Sequence, residues 1–394
     1  MFRETVILSA SRTPVGRLLG CLSEIPAVTL GGIAIAEAID RAGVQAAEVE
    51  EGIVGNVLQA GQGHNAGRLA MQAAGLPDEI PAVTLNKLCG SSMKALHMAT
   101  QAIRCCDAEV VVAAGMESMS LAPYLIAKGR SGYRMGDGLL EDHMLRDGLI
   151  CTVNGYHMGM TAENVAEKYG VSREDQDAFA LESQRRAGAA ITAGVFKPEI
   201  VPVPIPHKKG DPRLVDTDEH PRLDTTLEGL AALKPAFKKG GTVTAGNSSG
   251  VNDAGAALVL SSAEFADRRG LKPLARVVGY ASAALDPAYM GMGPYHATKK
   301  VLKKTGMTLD QMDVIELNEA FAAQALACGR LLDVDWTKAN LSGGAIALGH
   351  PIGCSGARIL ITLLYGLLRT GGRYGLATMC IGGGQGVATI IEAV

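Results

Sequence analysis

Apolar and polar positions alternate in two rhythms along this chain. Val6 to Ala10 is a short apolar run that predicts a strand. Thr29 to Ala42 has helical spacing. Gly52 to Leu58 reads as a strand and Gly67 to Ala74 as a helix. A strand-like run from Ala82 leads to Cys89, and a helix-like run continues from there to about Cys105. Glu109 to Ala114 reads as a short buried strand. The same grammar returns near the C-terminus. Arg276 to Tyr280, Val314 to Leu317, Tyr374 to Cys380 and Val387 to Ile391 predict strands. His296 to Lys304, Glu319 to Leu331 and Gly356 to Arg369 predict helices. Such alternation implies a layered α/β fold.

The two parts look like copies. Ala34 to Val44 resembles Ala297 to Met307. Each is followed by a polar step and a short apolar strand, ending in Gly55-Asn56-Val57 or Leu317-Asn318-Glu319. An internal duplication places a site at the seam between copies. Between the copies the character changes. Residues 120–248 hold half of the 16 prolines and one good helix, Arg173 to Ala193, with Ser172 as N-cap. Lys208-Lys209 in this stretch reads as a solvated loop, with a phosphate contact as the alternative. The expected division is 1–119 plus about 249–270 as one half, 120–248 as an inserted loop domain, and 271–394 as the other half.

Composition narrows the function. The net charge is −3 and aromatic residues are 4% of the chain, which argues against nucleic-acid binding. None of the 8 cysteines forms a Cys-x-x-Cys pair or a zinc-ligand spacing with His, so no metal site is expected. The six outside the proposed site read as reduced, mostly buried thiols. The apolar stretch between Arg358 and Arg369 is too short to cross a bilayer, and no signal peptide is visible. A cytoplasmic protein that does not engage membranes is the expectation.

Chemistry gathers at three points. Cys89 precedes a helix, whose N-terminal amides and dipole favour a thiolate. His350 lies in a loop of small residues, Gly343 to Gly356; a hydrogen-bonded structural histidine is the competing reading. Cys380 ends a strand and is followed by Gly382-Gly383-Gly384, whose amides suit a developing negative oxygen. Asn318 follows another strand and reads equally as an oxyanion donor or a helix N-cap. No dinucleotide fingerprint or Walker sequence occurs.

Four segments, in order, then carry a family resemblance: Asn86 to Ser91, Asn318 to Ala322, Gly343 to Pro351 and Cys380 to Gly386. Over essentially its full length the chain resembles the thiolases, in the acetyl-CoA acetyltransferase group. The resemblance implies two α/β halves, each with a five-stranded mixed sheet, stacked as five layers α-β-α-β-α. The inserted loop domain would cover the substrate. It implies acyl-CoA and CoA as substrates, no cofactor, and a homodimer or homotetramer, with Ser131 to Gly138 at the tetramer-forming and covering loop. Cys89 would carry the acyl group, His350 would take its proton or hold it as an ion pair, and Cys380 would abstract the α-proton. One oxyanion hole would use His350 and a water on Asn318, the other the amides of Cys89 and Gly382. Leu149, His157, Met158, Arg222, Phe237 and Ser249 would meet CoA. Met290 and Phe321 would wall a short acyl pocket.

Two departures stand out. Ser92 occupies a position where short-chain members often have glycine, and Leu341-Ser342-Gly343-Gly344 replaces Val-Asn-Gly-Gly. The leading expectation is an acetyl-CoA C-acetyltransferase. Its rivals are a broad-chain 3-ketoacyl-CoA thiolase and an inactive scaffold of the same fold. A ketosynthase would call for histidine at Cys380.

Overall fold

The computed structural model describes residues 3–206 and 211–394, so Lys208-Lys209 lie outside the described residues. Nine strands build the sheet core. They are β1 (Thr5–Arg12), β2 (Glu51–Gly55), β3 (Ala82–Leu85), β4 (Val110–Ser118), β5 (Asn252–Ser262), β6 (Ala275–Ala284), β7 (Val314–Leu317), β8 (Tyr374–Ile381) and β9 (Gln385–Ala393). The principal helices are α1 (Ala27–Ala42), α2 (Ala66–Ala73), α3 (Ser91–Arg104), α4 (Met158–Tyr169), α5 (Arg173–Thr192), α6 (Gly293–Thr305), α7 (Ala322–Leu332) and α8 (Ser355–Thr370).

The duplication is visible in the topology. The first half runs β3-β2-β4-β5-β1 and the second β7-β8-β9-β6. The second half has four strands where five are implied. Its fifth position is held by a single parallel bridge, Ile315 to Ala339. With that segment included, both halves repeat one order. The two sheets also join, through Val6↔Arg276 and Ile7↔Ala275 on β1 and β6. Helix ends repeat as well: Gly43 after α1 and Gly306 after α6 are both left-handed C-caps.

Alternation along the strands explains five layers. On β4, Val111 and Ala113 face a central core with α3 and α8, while Val110 and Val112 face an outer core with α1 and α2. The second half packs its outer face on α6 and α7. Strands buried on both faces read as continuous apolar runs. Helix α8 is buried around nearly its whole circumference, as the central layer demands.

Several boundaries differ from expectation. β2 stops at Gly55, because the amides of Val57 and Leu58 turn to the Glu117 carboxylate. β4 runs four residues past Ala114 to Ser118, since Glu117 there is fully satisfied by N–H donors. α7 begins at Ala322 rather than Glu319, and Phe321 occupies its N-cap position. The 120–248 stretch holds α4 as well as the expected α5, whose Ser172 does accept from the Asp175 amide at 3.0 Å. β5 lacked an explicit expectation and lies mid-sheet.

Arg12 fastens the excursion to β1. It is buried, donates to Glu199 at 2.9 Å, and makes a two-pronged pair with Asp218 at 2.7 and 2.8 Å. Arg12→Met strands two buried carboxyls without their cation. The expected loss is about 3–5 kcal/mol, read as a lower urea midpoint; an unchanged midpoint would show the clasp to be dispensable.

Candidate active site

Cys89 sits on a tight turn between β3 and α3. Leu88 is left-handed (φ 47), an uncommon conformation for a branched residue. The turn is held by local bonds: the Leu88 amide donates to Asn86 Oδ1 at 2.9 Å, and the Lys87 amide to Ser91 Oγ at 2.8 Å. Lys87 Nζ reaches Gln385 Oε1 at 2.8 Å, tying this turn to the glycine loop after β8. In that loop the Gly382 amide points at the Cys89 sulfur, as does the amide of Cys89 itself. A Cβ on Gly382 would lie 2.6 Å from Met158 Cε and 2.9 Å from Leu88 Cδ1, so a larger residue would have to displace those two side-chain ends.

His350 is positioned from both sides. Its amide donates to Asn252 Oδ1 at 2.8 Å. The Ser355 hydroxyl donates to Pro351 O at 2.8 Å, so it accepts from His350 Nδ1–H at 2.6 Å. That assigns the Nδ1–H tautomer and leaves the Nε2 lone pair free; Nε2 has no protein partner. Burial pushes the imidazole down to about 3, with the Arg358 guanidinium adding to the effect. The ring is therefore a neutral base at physiological pH.

The sulfurs are also neutral at rest. Burial pushes the Cys89 thiol up to about 11, against the opposing pull of the Gly382 and Cys89 amides. This corrects the expected helix-stabilised thiolate, because desolvation outweighs the helix end. It also sets aside a resting thiolate–imidazolium pair. Cys380 is fully buried and rises well above the ordinary thiol range, through burial first and the nearby Cys89 second.

One cavity of about 900 Å³ gathers most of the expected residues. Cys89, His350, Cys380 and Gly382 line it, with Met290 and Phe321 beside them. Leu149, His157, Met158, Phe237 and Ser249 line it farther out, and Arg222 stands exposed at its mouth. His157 stacks on Phe237 with centroids 4.6 Å apart. Asn318 is not among the lining residues. It is buried, and neither atom of its carboxamide has a protein partner. Because α7 starts later, Asn318 is not an N-cap. Glu319 next to it bonds Ser183, Asn340 and the Ile346 amide, which fixes the approach to the His350 loop.

Sequence reasoning missed Asn252, Ser355, Met119 and Ile352. The first two orient His350; the last two line the cavity on the Cys89 side. Ser355 was legible as a hydroxyl five residues beyond His350 in the same glycine loop. Asn252 carried no local signal. Ser92 has a definite place: its hydroxyl accepts the Ala357 amide of α8 at 2.8 Å. Cys105 and Cys106 are exposed, contrary to the expectation of mostly buried thiols.

A half-buried thiol pushed up to about 11 predicts that Cys89 alkylation by iodoacetamide climbs about tenfold per pH unit between pH 7 and 9.5. A plateau beginning below pH 8, followed by peptide mass analysis, would contradict the neutral resting thiol.

Comparison with known proteins gives the family. Residues 5–264 match the family model for the thiolase N-terminal domain, and residues 271–393 that for the thiolase C-terminal domain. The acetyl-CoA acetyltransferase of Pseudomonas aeruginosa is 56% identical over 98% of each chain. That of Escherichia coli K12 is 54% identical over 99% of each chain. The crystal structure of the Bacillus anthracis acetyl-CoA acetyltransferase superposes with a TM-score of 0.98 at 44% identity, over 100% of this chain and 99% of that one. On fold, site layout and similarity along its full length, the chain belongs to the thiolase family.

Proposed function

We propose that this chain is an acetyl-CoA acetyltransferase, joining two acetyl-CoA into acetoacetyl-CoA and CoA, or running the reverse thiolysis. The observation that carries the reading is the convergence of two thiols and a neutral imidazole on one cavity. Relatives at 50–56% identity bear that activity in their names.

His350 Nε2 takes the Cys89 proton as the sulfur attacks the acetyl thioester. The departing CoA thiolate takes the proton of Cys380, leaving Cys380 as a thiolate. Its high proton affinity then suits removal of an α-proton from the second acetyl-CoA. The enolate attacks the acetyl carbon on Cys89 and expels its sulfur, which recovers a proton from His350. Charge on the thioester oxygens needs donors in a dry site. The Cys89 and Gly382 amides supply one set. Asn318, with its unpartnered carboxamide, holds a water beside His350 as the other. No cofactor enters these steps.

CoA runs outward along Leu149, His157, Met158, Phe237 and Ser249, with Arg222 near the nucleotide at the rim. Met290 and Phe321 bound the acyl end and favour short chains. The protein works in the cytoplasm; no described helix is long and apolar enough to cross a membrane. It assembles as a homodimer or homotetramer. The 131–140 segment is exposed throughout and carries Tyr133, Met135, Leu139 and Leu140, an apolar patch suited to self-association.

Acetyl-CoA should add one acetyl group to the Cys89 peptide, and none in Cys89→Ala. Cys380→Ser should still acetylate, more slowly because a hydroxyl gives the departing CoA its proton less readily, yet lose condensation by a far larger factor, about 100-fold or more. Equal loss of both half-reactions would overturn the assignment of roles. Turnover should also fall steeply from C4 to C10 3-ketoacyl-CoA; comparable rates would favour the broad-chain rival.

A further inference from the structure

The duplicated halves each build one corner of the central seam. The last paired rungs are Gly55↔Gly115 in the first half and Leu317↔Thr378 in the second. One residue beyond them on the inner strand are Asn56 and Asn318. Two residues beyond on the neighbouring strand are Glu117 and Cys380. The helix N-termini match as well: Cys89 lies two residues before α3, and Gly353 two residues before α8. Thus Cys380 meets Cys89 in one corner, and Glu117 meets Gly353 in the other. The corner of the second half carries the chemistry, while that of the first half holds a carboxylate.

That carboxylate is buried and saturated. Oε1 accepts from Asn56 Nδ2 at 2.8 Å and the Leu58 amide at 3.1 Å; Oε2 accepts from the Val57 amide at 3.1 Å and the Gly353 amide at 2.8 Å. No cation among the described residues bonds to it. Four neutral donors from two loops converge on it, one of them in the His350 loop. A Cβ on Gly353 would lie 2.6 Å from Oε2, so only glycine brings its amide this close. Cys89, Cys354 and Asp253 are the titratable groups around it.

We propose that Glu117 is a positioning residue for acylation of Cys89, holding the Asn56–Leu58 turn and the His350 loop in one frame while touching no reacting atom. The inference rests on the reading of Cys89 as the acylated nucleophile. Acetylation of the wild-type Cys89 peptide tests that reading separately. Glu117 and Asn56 do not line the cavity, so neither meets the substrate directly.

The test compares Glu117→Gln and Glu117→Asp with the wild type in single-turnover acetylation, KM for acetyl-CoA, and the pH midpoint of Cys89 alkylation. In Glu117→Gln, acetylation should slow by about tenfold or more, since small misplacements of a reacting pair are costly. KM should stay within about twofold. The alkylation midpoint should move to lower pH, because a negative neighbour of Cys89 is gone. Glu117→Asp should keep the midpoint and recover part of the rate. A general loss of structure would lower the rate, raise KM and move the midpoint in both variants alike, since burial is what chiefly raises the Cys89 thiol. That pattern, or acetylation within about twofold of wild type, overturns the proposal. If Glu117→Gln does not fold, Asn56→Ala reads the same frame. It leaves the charge in place, so acetylation should slow with no change of midpoint; an unchanged rate overturns the proposal.

Discussion

Two buried helices meeting at their N-termini set everything else in this molecule. α3 and α8 form the middle layer, and the Ser92 hydroxyl of one accepts the Ala357 amide of the other. The junction brings the loop before each helix to the same place. Cys89 comes from one loop and His350 from the other. The strands on either side end there too, delivering Cys380 and Asn318. Sequence positions nearly 300 residues apart become neighbours because the duplicated halves share this one seam.

Burial at the seam has a chemical consequence. It takes Cys380 and the imidazole out of water and half-buries Cys89, and so penalises charge on each. Both thiols are held protonated and the ring neutral. The site therefore stores no ion pair. Charge develops only as the thioester reacts, where the Gly382 and Cys89 amides already point at the sulfur. Such preorganisation is how a dry site favours a transition state over the resting state.

Much of this was legible in the sequence. Helices and strands of the two copies showed their periods clearly, and glycines marked the loops that carry Cys89, His350 and Cys380. Ranges such as Val314–Leu317 needed no correction. What escaped was tertiary. β4 extends through a charged residue because Glu117 finds four N–H donors that only the fold supplies. α7 starts late because Glu319 is used in loop bonds instead of a first helical turn. The missing fifth strand of the second half shrinks to one bridge, beneath what a local pattern can reveal. The protonation states also escaped, because a helix end is visible in a sequence and desolvation is not.

The neutral resting site can be measured directly. Nitrogen-15 NMR of the histidine-labelled protein at pH 7, with His350→Asn for assignment, reports the state of each ring nitrogen. The account predicts a neutral His350 ring protonated at Nδ1 and bare at Nε2. An imidazolium with both nitrogens protonated, implying a standing pair with a Cys89 thiolate, would contradict it.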